Sequence, residues 1–122
     1  FVVSQRALPY LRRAQGRVIN IASVVAHKGY PLQSAYAASK HALLGLSKSL
    51  ANELYEDGVR VHVISPGGVY TDMAKVARPD LSPDGLISAA EVADAVMFLL
   101  SLDKNAVIDE ICLHRQGKAP FA

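Results

Sequence analysis

The sequence predicts an α/β protein with a parallel, doubly wound sheet and helices on both of its faces. Three observations predict it. Segments with helical and strand-like patterning alternate from end to end, in the order helix, strand, helix, strand, helix, strand. The strand-like segments are short, β-branched and apolar, without the in-and-out alternation of a half-solvated sheet. The joins between them are short, which is how right-handed parallel crossovers are strung together.

Phe1 to about Ala14 reads as a helix entered in mid-pattern. No cap or start signal precedes Phe1-Val2-Val3, while Val2, Gln5, Arg6, Pro9 and Arg13 recur at helical spacing. Gln15-Gly16 is the expected stop, with glycine as the left-handed residue. Arg17 to Ala22 reads as a strand buried on both faces. A loop from Ser23 to Gln33, broken by Gly29 and Pro31, leads to a long helix from about Ser34 to Tyr55 that Asp57-Gly58 closes. Val59 to Ser65 is the second strand, and Pro66-Gly67-Gly68 ends it sharply. From Val69 to about Gly85 the text is irregular. Thr71-Asp72 can cap a short helix through Val76, and Pro79 and Pro83 mark a flexible connection, a candidate lid. Ser88-Ala89-Ala90-Glu91 has the form of a capping box and opens an apolar helix to about Leu102. Ala106 to Leu113 is the last strand. Strands this apolar are rarely left open to water, so the edge made by the first strand is where further strands should pair, and the chain reads as half a domain.

Composition narrows the partners. A chain of 122 residues that is 51% hydrophobic builds one modest core. Its net charge of +2 is scattered, so no basic block suggests a nucleic-acid groove. No apolar run reaches the roughly 18 to 20 residues of a membrane span. The single cysteine, Cys112, has no thiol partner, reads as a buried strand residue, and fits a reducing compartment, by default the cytoplasm. His27, His41, His62 and His114 lack ligand-like spacing, so no metal site is expected.

The chemistry concentrates in Tyr36-Ala37-Ala38-Ser39-Lys40, whose tyrosine and lysine stand four apart and share one helix face. An adjacent ammonium favours a phenolate, which makes such a pair an acid/base candidate; the bare spacing equally describes an exposed helical pair. Ser23 stands thirteen residues before Tyr36, at the C-terminal end of a strand, where open parallel sheets bind their ligands. There a serine can donate to a substrate oxygen while the tyrosine moves a proton, the arrangement carbonyl reduction or alcohol oxidation needs. The loop Pro66-Gly67-Gly68-Val69-Tyr70-Thr71 ends the next strand, and its glycines would let backbone approach a flat ring. His27, in the loop after Ser23, is a candidate substrate contact or a surface histidine.

Asn20-Ile21-Ala22-Ser23, then Tyr36-Ala37-Ala38-Ser39-Lys40, then Ser65-Pro66-Gly67-Gly68-Val69-Tyr70-Thr71 together resemble the short-chain dehydrogenase/reductase family in its small single-domain branch. The resemblance spans nearly all the chain and implies the C-terminal half of a Rossmann-like doubly wound parallel sheet. It implies an enzyme that moves hydride between a nicotinamide cofactor, NAD or NADP, and a small carbonyl or alcohol. Tyr36 would be the acid/base and Ser23 would polarise the substrate oxygen. Lys40 would hold the ribose hydroxyls and ease the ionisation of Tyr36. Val69 backbone and the Thr71 hydroxyl would bind the carboxamide, with Pro66 and Gly67 shaping the wall. Tyr70, Met73 and Val76 would border the substrate. Helices 1–14 and 34–55 would pack between subunits of a homodimer or homotetramer. The family's T-G-x-x-x-G-x-G loop, its N-N-A-G strand and its catalytic asparagine do not occur in these residues. Asn20 and Asn52, in a strand interior and far along the helix, are no substitutes for that asparagine. Two other readings stand beside this one: a non-catalytic chain that only self-associates through its two long helices, and an epimerase or dehydratase sharing Tyr-x-x-x-Lys.

Overall fold

The computed structural model describes residues 1–121. In chain order it contains α1 (Val2–Ala14), β1 (Arg17–Ile21), a 3-10 turn (Val24–His27), α2 (Ser34–Leu54), β2 (Arg60–Pro66), α3 (Asp72–Ala77), α4 (Ala89–Ser101) and β3 (Glu110–Leu113). The strands form one parallel sheet in the order β1-β2-β3, with Val18 beside Val61, Ile21 beside Ile64, Val63 beside Glu110 and Ser65 beside Cys112. The predicted α/β class holds.

Alternate residues of a strand face opposite sides of a sheet. On one side, Leu50 and Leu54 of α2 close over Val59 and Val61, joined by Leu8 and Leu11 of α1 and by Val18, while Leu44 packs with Ala22 and Val63. On the other side, the Arg17 guanidinium donates to the carbonyls of Leu99 and Leu102 at the C-terminal end of α4. Leu99, Ile64 and Val59 are fully buried, and each such side chain contributes about 1.5–3 kcal/mol of transfer free energy. Helices therefore cover both faces, as predicted. The strand order advances one way while the covering helix changes side, so the two crossovers have opposite hands and cannot both be right-handed as the sequence predicts. The irregular segment from Gly67 to Ser88 gives the chain enough length to change face.

Other expectations need correction. β2, the middle strand, is buried on both faces, whereas β1 is half-buried and Ile21 is 43% exposed. The reason is position: among the described residues β1 pairs only with β2 and leaves its outer edge free. The last strand begins at Glu110, not Ala106, and the carbonyl of Ile108 accepts from the His62 ring at 2.6 Å. Cys112 is exposed, because α2 packs over β1 and β2 and leaves β3 at the open side of the sheet.

The left-handed residue after α1 is Gln15 (φ 47°), not Gly16. Bonds from Gln15 N–H to Arg12 O and from Gly16 N–H to Leu11 O close the helix as a Schellman motif. Gly16 instead sits where room is tight, a Cβ there lying 3.0 Å from Leu11 Cδ2. α2 ends the same way with Gly58 in the left-handed position (φ 74°), bonded to Tyr55 O, and the Gln15 side chain lies over it.

Candidate active site

Parallel strands deliver their C-terminal ends to one edge of the sheet, and β1 and β2 end there at Ile21 and Pro66. Ser23 follows β1 in extended backbone and is buried; its Oγ accepts from the Val25 N–H at 3.1 Å, capping the 3-10 turn. That bond uses a lone pair and leaves the hydroxyl proton free to donate.

α2 starts so that Tyr36 and Lys40 lie one turn apart above the same strand end. Lys40 Nζ donates to Ile21 O at 3.1 Å and stands 5.7 Å from the centre of the Tyr36 ring. Ser39 Oγ donates to Tyr36 O at 2.7 Å, and the tyrosine side of the helix faces solvent. The structure thus gathers Ser23, Tyr36 and Lys40 around the end of β1. Among the described residues no hydrogen bond joins Ser23 to Tyr36. Asn20 donates to Ser47 Oγ at 2.9 Å, a packing role that matches its place inside β1.

The loop after β2 is pinned from two sides. Gly67 N–H donates to Leu113 O at 2.8 Å, Tyr70 N–H to Ile87 O at 2.9 Å and Ile87 N–H to Gly68 O at 3.0 Å. This bridge between Val69 and Ile87 leaves the N–H and carbonyl of Val69 itself outside the pairing. Thr71 Oγ1 accepts from the Ala74 N–H at 3.1 Å, capping α3 and keeping its own proton. Gly67 and Gly68 also give the loop room beside its own chain, since a Cβ there would lie 3.3 Å from Leu113 O and 3.2 Å from Leu86 Cδ2 respectively. Met73 and Val76, 70% and 84% exposed, project from α3 into solvent, and Tyr70 is half-buried under the Lys75 ammonium, 4.7 Å from its ring centre. Asp72 holds its carboxyl below the usual range through the hydrogen bond and charge of Lys75.

His27 is turned to β3. Its Nε2 lies 2.6 Å from Glu110 Oε1, and the Ser65 hydroxyl donates to the same oxygen. Burial raises the Glu110 carboxyl, but the Ser65 and His27 contacts outweigh it and hold the group below its ordinary value. Burial and then the Glu110 charge push the Cys112 thiol up. His27, Glu110 and Cys112 bring their ligand atoms within 4.8 Å of one another. Sequence spacing of histidines alone misses this cluster, although Glu110 and Cys112, two apart on a strand, share a face.

Comparison with known proteins extends the picture. The family model for short chain dehydrogenases matches residues 1–82. Carbonyl reductase family member 4 of Xenopus tropicalis is 42% identical over 95 residues, covering 74% of this chain and 40% of that protein. The 3-oxoacyl-[acyl-carrier-protein] reductase FabG of Escherichia coli (strain K12) is 40% identical over 115 residues, covering 88% of this chain and 47% of that protein. Among solved structures, 4-hydroxyisoleucine dehydrogenase complexed with NADH superimposes with a TM-score of 0.74 at 28% identity, covering 93% of this chain and 51% of that one. The chain spans less than half the length of these curated relatives.

Proposed function

Since the chain belongs to the short-chain dehydrogenase family, we propose that its protein is an NAD(P)-dependent oxidoreductase interconverting a small carbonyl compound and its secondary alcohol. Residues 1–122 then form the C-terminal catalytic portion of a single Rossmann-like domain. The observation that carries this reading is the Lys40 ammonium held on Ile21 O beside the Tyr36 ring, next to a Ser23 hydroxyl whose proton is free. The names of the carbonyl reductase and 3-oxoacyl reductase relatives favour a ketone or 3-oxoacyl thioester as the carbonyl partner.

The donors present suit the nicotinamide end of the cofactor. Val69 leaves an N–H and a carbonyl unpaired by its bridge, a complementary pair for a carboxamide, and Thr71 retains a proton after capping α3. Lys40 uses one of its three protons on Ile21 O and keeps two for ribose hydroxyls. When bound, the nicotinamide supplies or accepts the hydride. Ser23 donates to the substrate oxygen and fixes its position. Tyr36 Oη gives that oxygen a proton in reduction and takes it back in oxidation, with the Lys40 charge beside the ring. Pro66 and Gly67 hold the loop against β3, and Tyr70, Met73 and Val76 border the substrate when α3 comes over it.

α1 buries none of its residues and exposes Val2, Val3 and Tyr10, which favours a homodimer or homotetramer through α1 and α2. The same surface, with the free edge of β1, supports a second reading in which the 122-residue chain only self-associates. Light scattering of the chain with a nicotinamide titration separates the two, since assembly without cofactor binding is the second reading's result. The reaction itself is tested by assaying the full-length protein for NADH- and NADPH-dependent reduction of small ketones and 3-oxoacyl thioesters. Saturable turnover of one class is expected; no turnover of any carbonyl with either cofactor overturns the proposal.

A further inference from the structure

We propose that His27, Glu110 and Cys112 form a binding site for a borderline-soft divalent cation, zinc above all, which clamps the turn beginning at Ser23 to strand β3. The three side chains come from distant parts of the sequence and place an imidazole nitrogen, a carboxylate oxygen and a thiol sulfur within 4.8 Å of one another. Zinc bonds of about 2.0–2.3 Å in tetrahedral geometry set neighbouring ligand atoms ~3.3–3.8 Å apart. The side chains as they stand therefore lie within about 1 Å of that spacing, with His27 Nε2 and Glu110 Oε1 2.6 Å apart, and side-chain rotation covers the difference.

The positions are built by the fold. Register with Val63 and Ser65 fixes Glu110 and Cys112 on one face of β3, and His27 ends the 3-10 turn that Ser23 caps. The Ser65 hydroxyl on Glu110 Oε1 is the kind of supporting bond that orients a ligating carboxylate. Imidazole with thiolate selects zinc over magnesium or calcium, which prefer all-oxygen sets. His27 and Cys112 are both exposed, so an ion reaches them from solvent, and three protein ligands leave a fourth position for water.

The charge balance agrees. A dication is balanced by two anionic ligands, the Glu110 carboxylate and the Cys112 thiolate. Lys28, in the same groove, and Lys48, whose charge reaches Glu110, each work against the ion, and the two anionic ligands offset them. On binding, the Cys112 thiol releases its proton to the buffer and the sulfur's electron pair goes to the metal. This site stands on its own geometry and is independent of the reaction proposed for Ser23, Tyr36 and Lys40.

The test is a Co2+ titration of the reduced 122-residue chain followed by thiolate-to-cobalt charge-transfer absorption. Cys112 is the only cysteine, so any such band reports on it alone. A saturable one-to-one band is expected, displaced by Zn2+ and unaffected by Mg2+. Cys112→Ser should abolish it, and His27→Gln and Glu110→Gln should each weaken binding by at least about 100-fold, since groups that merely support a ligand are worth about 10–100-fold. Circular dichroism of each variant establishes that the fold persists. No band, or a band whose midpoint is the same in folded His27→Gln and Glu110→Gln, overturns the site.

Discussion

The Lys40 ammonium donates to the carbonyl of Ile21 at 3.1 Å while standing 5.7 Å from the centre of the Tyr36 ring. One side chain thus ties the opening turns of α2 to the C-terminal end of β1 and sets a positive charge beside the phenol. Lys40→Met removes tether and charge together. In the full-length protein, kcat/KM should fall by at least about 100-fold, in the range for a disabled acid/base pair. Lys40→Arg, which keeps the charge but not the point geometry, should recover only part of the loss. Initial rates with varied nicotinamide check this, and unaltered kcat/KM in Lys40→Met contradicts it.

Leu99 anchors α4 to the face of the sheet opposite α2, with no exposed surface. Leu99→Ala leaves a cavity where α4 meets the sheet and should cost about 2–5 kcal/mol of unfolding free energy. Urea denaturation of the chain measures it, and a midpoint equal to that of the parent chain counts against the packing described.

Two glycines should respond in opposite directions. Gly58 sits at φ 74°, where an added Cβ would also press on Gln15 Nε2 at 2.8 Å, so Gly58→Ala should destabilise by about 1–2 kcal/mol. Gly45, exposed within α2 with open space around it, should gain about 0.5–1 kcal/mol as alanine. Thermal melts of the two variants measured together settle the signs.

The capping box of α4 gives a pH dependence. Glu91 accepts from the Ser88 N–H at 2.7 Å and the Ser88 hydroxyl at 2.9 Å, and these bonds hold its carboxyl below the ordinary value. A carboxyl depressed by folding stabilises the native state above the unfolded-state pKa of about 4.3, and that contribution fades as pH falls through the lower folded value. The stability difference between the chain and its Glu91→Gln variant should therefore be constant from neutral pH to about pH 5 and shrink below that. Chemical denaturation across that range reads the difference; a gap that widens on acidification would falsify the role of the box.

Much of this arrangement was legible from residue order. The run Val59 to Ser65 announces the central strand, Ser88-x-x-Glu91 announces the start of α4, and Thr71 announces the cap of α3. The placement of Ser23 after β1 and of Tyr36 and Lys40 one turn apart on α2 was readable because helical spacing and position after a strand are local properties. What escaped depends on strand neighbours and on contacts between distant residues. The apolar text around Cys112 does not reveal that α2 stops short of β3. The meeting of His27 with Glu110 depends on a register between residues 83 positions apart. Gly16 looked like the left-handed stop because glycine usually is; here Gly16 sits tight against Leu11 and Gln15 takes the strained conformation.

The central claim is that the Tyr36 hydroxyl moves the proton, and Tyr36→Phe in the full-length protein tests it with the loss of one oxygen atom. Nicotinamide-linked turnover should fall by about 10²–10⁴-fold, while nicotinamide binding by fluorescence titration and the melting temperature stay at wild-type values. A Tyr36→Phe protein that turns over at the wild-type rate would contradict the account and remove Tyr36 from the reaction.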